Sequence, residues 1–164
     1  MRRLLRAGLL FASALFAAPV SAHDPTSKAL EAAALTVDPA AREAAATVDA
    51  FHAALSKGDE AAASALLHTE ALIFESGGAE RSKAEYASHH LSADTAFAAA
   101  TTRTVTRRSG RAAGGLAWIA TESTTTGTFR DRPVNSVSTE TMVLRRTGGN
   151  WQIVHIHWSS AKSD

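Results

Sequence analysis

The hydrophobic positions follow a helical rhythm up to about residue 100 and a strand rhythm after it. Asp38-Pro39 offers an N-cap followed by proline at the first helical position, and Val48, Phe51, His52 and Leu55 then share one helical stripe. Lys57-Gly58 closes that helix, with Gly58 free to take the left-handed position, and Asp59 caps a second short helix running to about Leu67. Leu72-Ile73-Phe74-Glu75 reads as a short strand ended by Ser76-Gly77-Gly78. Ser82-Lys83-Ala84-Glu85 matches a capping box, and a third helix carries Tyr86, His89, His90 and Asp94. From Thr101 onward, alternation rich in Thr, Val and Ile predicts long strands at about 101–109, 115–129, 134–146 and 151–159. Turns fall at 110–114, 130–133 and 148–149. Helices first and an antiparallel meander afterward give an α+β fold, helices packed on one face of a bent sheet.

Residues 1–22 stand outside this scheme. Arg2, Arg3 and Arg6 precede an apolar run from Ala7 to Ala18, and Val20-Ser21-Ala22 supplies a small-x-small cleavage site, so the segment reads as a secretory leader. The run is about half of the roughly 20 residues a bilayer span requires. A periplasmic or secreted protein, with no membrane attachment once the leader is cut, is the expectation. Residues 23–37 are polar and alanine-rich without periodicity, which predicts a flexible tether before a single domain at 38–160.

Composition narrows the function classes. The 164 residues include no Cys, which excludes disulfides, thiol nucleophiles and cysteine-based metal sites. Removing three leader arginines turns 17 basic and 16 acidic residues into 14 against 16, a net charge of −2. A near-neutral chain has no electrostatic reason to bind nucleic acid or an anionic membrane. The acidic, alanine-rich second helix is no DNA reader, and the arginines of 103–111 read as a solvated strand edge.

The last strand pair is the most specific part of the chain. Glu140-Thr141-Met142-Val143-Leu144-Arg145-Arg146, a glycine turn, and Trp151-Gln152-Ile153-Val154-His155-Ile156-His157-Trp158-Ser159 resemble the end of the association (hub) domain of calcium/calmodulin-dependent protein kinase type II. They equally resemble its bacterial SnoaL-like, domain-of-unknown-function 4440 relatives in the NTF2-like superfamily. The resemblance implies a conical α+β barrel over 38–160 and, for most of the family, pairing through the outer sheet face into a homodimer. Hub domains place three arginines in a carboxylate pocket; motif to motif, those positions fall on Ala120, Met142 and Trp158. The resemblance therefore implies an apolar cavity for a small hydrophobic molecule. Alternation adds Trp118, Glu122, Glu140, Leu144, Val154 and Ile156 to the inward set, and the hub's helix histidine corresponds to His89 or Tyr86.

Two kinds of chemistry follow. An inward carboxylate in an apolar hollow has its charged form disfavoured, which suits general acid–base work. Glu122 or Glu140, with Tyr86 as hydrogen-bond donor, would form a site like those of ketosteroid isomerases or cyclases. Alternatively His155 and His157, two apart on a strand, with His90 from the helix, offer ligands for copper or zinc; otherwise no cofactor is expected. The resemblance turns His155 and His157 away from the cavity. His23, exposed by cleavage, is a further copper-type ligand set; His52 reads as a core residue and His68 has no assigned role. The glycine loop at 75–81 lacks phosphate-cradle spacing and reads as the rim of the cone.

Overall fold

Four two-residue hairpins set the geometry of the sheet in the computed structural model, which describes residues 35–163. Ser76-Gly77, Gly114-Gly115, Arg130-Asp131 and Gly148-Gly149 each place both central residues at positive φ, the turn whose twist matches that of antiparallel strands. Three of the four use glycine. The exception, Arg130-Asp131, holds φ of 50° and 60° without it.

In chain order the elements are β1 (Leu35–Val37), a 3-10 turn (Pro39–Ala41), α1 (Arg42–Ser56), α2 (Glu60–Ala65), β2 (Leu67–Glu75) and β3 (Gly78–Glu80). Then come α3 (Lys83–His89), α4 (Leu91–Ala100), β4 (Thr101–Ala113), β5 (Leu116–Phe129), β6 (Arg132–Thr147) and β7 (Asn150–Lys162). One seven-stranded sheet runs β1-β4-β5-β6-β7-β2-β3, curled around the helices but not closed. Strands β4 to β7 form the antiparallel meander, while β1 on β4 and β2 on β7 are parallel. The expected caps are present: the Asp38, Asp59 and Ser82 side chains accept from the N–H groups of Ala40, Ala62 and Glu85. No helix among the described residues is long and apolar enough to cross a membrane.

Several expectations change. Leu35–Val37, read as the end of a tether, pairs with Arg108, Ser109 and Gly110. The segment 75–81 is a hairpin, with β3 pairing Ile73 to Glu80. The third helix is two, broken at His90, whose backbone (φ −120°, ψ −30°) leaves ideal helical geometry and starts α4 without a side-chain cap. The leader, most of the tether and His23 lie outside the described residues.

The largest correction concerns which side chains of β5 face inward. A two-residue turn pairs Phe129 with Arg132, and the register then runs unbroken through Thr121↔Glu140 and Ile119↔Met142. Paired residues share a face, so Met142 and Glu140 inward bring Ile119 and Thr121 inward. Trp118, Ala120 and Glu122 therefore point to the outer face, against expectation. An even number of turn residues always pairs odd positions with even ones, so Ala120 and Met142 share a face only if the turn holds an odd number. On β7 a bulge near Val154 lets Ile153 pair with Leu144 and Ile156 with Met142, and both isoleucines are buried. Val154, expected inward, is only half-buried.

The core lies between α1 and the near half of the concave face. Val48, Phe51 and Leu55 pack with Ile119, Met142, Leu144, Ile153 and Ile156, and each side chain that size contributes about 1.5–3 kcal/mol on burial. Beyond Glu140 the inner face changes character. Ser123, Thr125, Ser136 and Ser138 replace the aliphatic residues, and α4 stands over them across a gap.

Candidate functional site

That gap is a cavity of about 460 Å³. Leu55, Phe97, Ala98, Phe129 and Trp158 supply its apolar wall; the hydroxyls of β5, β6 and β7 supply another. His52 from α1, Asp94 from α4, Glu75 from β2, Arg103 from β4 and Glu140 from β6 bring ionisable groups to the same space. The hollow is thus part apolar and part hydroxyl-lined, not uniformly apolar as the sequence led us to expect. At one end Phe97 meets Phe129 edge to face at 5.3 Å, and the Arg130 guanidinium lies 4.9 Å over the Phe129 ring.

Glu140 is the best-anchored group. Its Oε2 accepts from His52 Nε2 at 2.7 Å and from the Trp158 indole N–H at 2.8 Å, and Arg103 Nη2 donates to Oε1 at 3.4 Å. Burial pushes the carboxyl up, but the bond and charge of His52, the Arg103 charge and the Trp158 N–H together outweigh it, so Glu140 is held below the usual carboxylate range. In its neutral form His52 keeps its proton on Nε2, facing Glu140, and leaves Nδ1 as the ring nitrogen that Glu140 does not engage.

Asp94 has the opposite setting. Its Oδ2 accepts from the buried Tyr86 hydroxyl at 2.7 Å. Burial raises the Asp94 carboxyl; the Tyr86 bond and the charge of His90 pull it back, the charge of Glu80 adds to the rise, and the net direction is upward. Glu75 is also raised, first by burial and then by the Asp94 charge, and burial with the Asp94 charge pushes the Tyr86 phenol far up. His90 closes the cluster through Nδ1 to Glu80 Oε1. Two carboxylates facing one cavity are therefore driven apart, Glu140 toward permanent ionisation and Asp94 toward the range of a working acid or base.

Of the residues singled out from sequence, the structure brings Glu140, Trp158 and, through Asp94, Tyr86 to the cavity. Tyr86 also lies 6.4 Å from Trp158, ring to ring. Met142 and Ile156 are core residues next to it. Glu122 faces Arg107 on the outer side at 3.9 Å, Trp118 is 39% exposed on that side, and Ala120 lies between them in sequence on the same face. His89 is exposed on α3. His155 and His157 flank Phe74 on the outer face, His155 bonded through Nδ1 to the Leu72 carbonyl, and His90 is held by Glu80. Among the described residues no three His, Asp or Glu side chains converge as a metal set. The strand-edge arginines are mostly paired within the fold: Arg108 to Asp49 at 2.6 Å and Arg111 to Asp38 at 3.9 Å, besides Arg103 and Arg107.

His52, Asp94 and Arg103 were not read as site residues. Asp94 did leave a trace: it is the sole charge in the alanine-rich segment 91–100. His52 sits on the apolar stripe beside Phe51, where sequence spacing cannot separate a core imidazole from one that lines a cavity.

Comparison with known proteins follows this geometry. The SnoaL-like domain profile matches residues 44–163. A candidate ketosteroid isomerase from Shewanella frigidimarina is 36% identical over 76% of this chain and 98% of its own, with a TM-score of 0.70. A candidate calcium/calmodulin-dependent protein kinase II association domain from Xanthomonas campestris is 21% identical over 77% and 91%, TM-score 0.66. A candidate dehydratase of the NTF2-like family from Streptomyces avermitilis is 17% identical over 74% and 96%, TM-score 0.66. None of the curated proteins matches the chain.

Proposed function

Because the chain belongs to the SnoaL-like domain family of NTF2-like proteins, we propose that its cavity binds a small, partly apolar carbonyl or hydroxyl compound and moves a proton on it. The supporting observation is a pair of titratable side chains on one cavity, each backed by a buried partner: Asp94 by Tyr86 and His52 by Glu140. In this reading Asp94 removes a proton from carbon next to a carbonyl, with Tyr86 holding its other oxygen. His52, oriented by Glu140, gives or takes a proton at the substrate oxygen. This is isomerase- or dehydratase-type chemistry, the class to which the Shewanella and Streptomyces neighbours are assigned. A purely ligand-binding role is the alternative. The reading of residues 1–22 as a cleaved leader and of the outer sheet face as a homodimer contact belongs to the same proposal; hub and association domains among the neighbours support self-association.

The test is exchange of the activated protons of β-tetralone in deuterated buffer, followed by mass spectrometry. Wild-type protein accelerates exchange, and Asp94→Asn, which can still accept from Tyr86, lowers the rate by about 10²-fold or more. Equal exchange by wild type and Asp94→Asn would refute the catalytic role and leave the binding role.

A further inference from the structure

Arg108 is the most buried arginine of β4, yet it does not line the cavity. It is 9% exposed and stands in a cross-strand row, Arg108–Thr121–Glu140–Trp158, the row that holds the anchored carboxylate. Its Nε donates to Thr121 Oγ1 at 3.3 Å, and its Nη1 donates to Asp49 Oδ1 at 2.6 Å. Nη2 is buried without a hydrogen-bond partner among the described residues. Asp49 lies on α1 three residues before His52, so the two side chains share one face of the helix. From that face Asp49 reaches β4 and His52 reaches β6. The two bonds, one turn apart, close a ring through Arg108, Thr121 and Glu140 back to the helix.

Stability alone does not account for this arrangement. Burying a guanidinium is costly, more so with one amino group unbonded, and apolar residues of similar volume are often as stable or more so. What the apolar contacts of α1 lack is direction. Val48, Phe51 and Leu55 hold the helix to the sheet by burial, which is non-directional and tolerates small rotations and slides. A group that handles a proton has to be held within about 0.5 Å of its working place, so the turn of helix carrying His52 needs a bond with direction. The Glu43–Arg146 pair does not supply it, being nine residues before His52 and exposed on both sides.

We propose that Arg108 is a positioning residue for His52, acting through Asp49: the clamp fixes the rotation of α1 so that the imidazole meets Glu140 through Nε2 in a single tautomer. The proposal rests on the reading that His52 handles a proton in the cavity, and it names what holds His52 ready from outside it. Imidazole nitrogen-15 NMR reports the tautomer, with His52→Gln to assign the signal. In alkaline buffer wild-type His52 shows the Nε2–H form alone. Asp49→Ala gives a mixture of both tautomers and exchanges β-tetralone about tenfold to a hundredfold more slowly at unchanged KM. Asp49→Asn, whose amide oxygen still accepts from Arg108, restores the single tautomer and most of the rate. The double variant Asp49→Ala with Arg108→Met strands no charge and unfolds within a few degrees of wild type. It nonetheless stays slow with mixed tautomers, which separates positioning from stability. A His52 that keeps one tautomer in Asp49→Ala and in the double variant overturns the proposal. So does Asp94-dependent exchange that runs at the wild-type rate in both, or an Asp49→Asn protein that restores nothing. If wild type and Asp94→Asn exchange β-tetralone equally, the underlying reading fails and this one with it.

Discussion

Glu140→Gln separates the two roles its carboxylate plays, charge and shape. The side chain is 3% exposed and accepts both the His52 and Trp158 N–H bonds on Oε2. A glutamine keeps that oxygen, so both bonds survive in neutral form, but its amide then confronts the Arg103 guanidinium where Oε1 had accepted. Charge-assisted bonds exceed neutral ones by about 1 kcal/mol each, and stranding a half-buried arginine adds about 1–2 kcal/mol, for a total of about 3–4 kcal/mol. At this chain length that is a fall in Tm of about 8–15 °C. The assay is thermal unfolding by circular dichroism across pH. Glu140 is depressed in the folded state, so its stabilisation is complete above the unfolded carboxyl value of about 4.3 and disappears as pH falls through the lower folded value. The gap between wild type and variant should close over that acid interval. A variant within about 0.5 kcal/mol of wild type at pH 7, below the range expected of a disrupted buried network, would refute the reasoning, as would a gap that stays constant into acid.

Other substitutions probe neighbouring claims. Glu122→Gln, on the outer face beside Arg107, leaves β-tetralone exchange unchanged and Tm within a degree or two; a loss of turnover would return Glu122 to the site. Gly110→Ala costs about 1–3 kcal/mol in denaturant unfolding, because the added Cβ would meet Ile119 Cδ1 at 2.5 Å and the Trp118 carbonyl at 3.1 Å. The pair Arg130→Asn with Asp131→Gly raises stability by about 1 kcal/mol, since these residues tolerate the positive φ the hairpin demands. Tyr86→Phe deprives Asp94 of the bond that favours its charged form, so the acid limb of the exchange rate moves to higher pH.

Legibility along the chain followed how strongly each segment constrains itself. The caps at Asp38, Asp59 and Ser82 were readable because a short polar side chain before a helix has one good use for its oxygen. Strands β6 and β7 were readable because Met142, Leu144 and Ile156 are large and, Val143 apart, their neighbours are polar. In β5 the bulk falls on both faces, Leu116 and Trp118 on one and Ile119 on the other, so side-chain size favours neither parity. The turn length decides it, and the four-residue turn read from sequence already demanded the observed answer; family correspondence to Ala120 pulled the other way. The cavity was the least legible feature. Its wall is made of serines and threonines, which sequence patterning assigns to solvent, and only the curl of the sheet under α4 turns them inward. His52 and Asp94 meet one space because α1 and α4 pack together, a contact that no local spacing encodes.

The three-residue strand at Leu35–Val37 has a consequence for handling this molecule. It covers the rim of β4 at Arg108 to Gly110, and the Asp38 N–H continues the seam to the Gly110 carbonyl. A chain trimmed to begin at the first helix would bare that row of amides, an open template for strand-to-strand stacking between copies. Shortened versions that begin after Asp38 should therefore precipitate, while those that keep Leu35–Val37 stay dispersed.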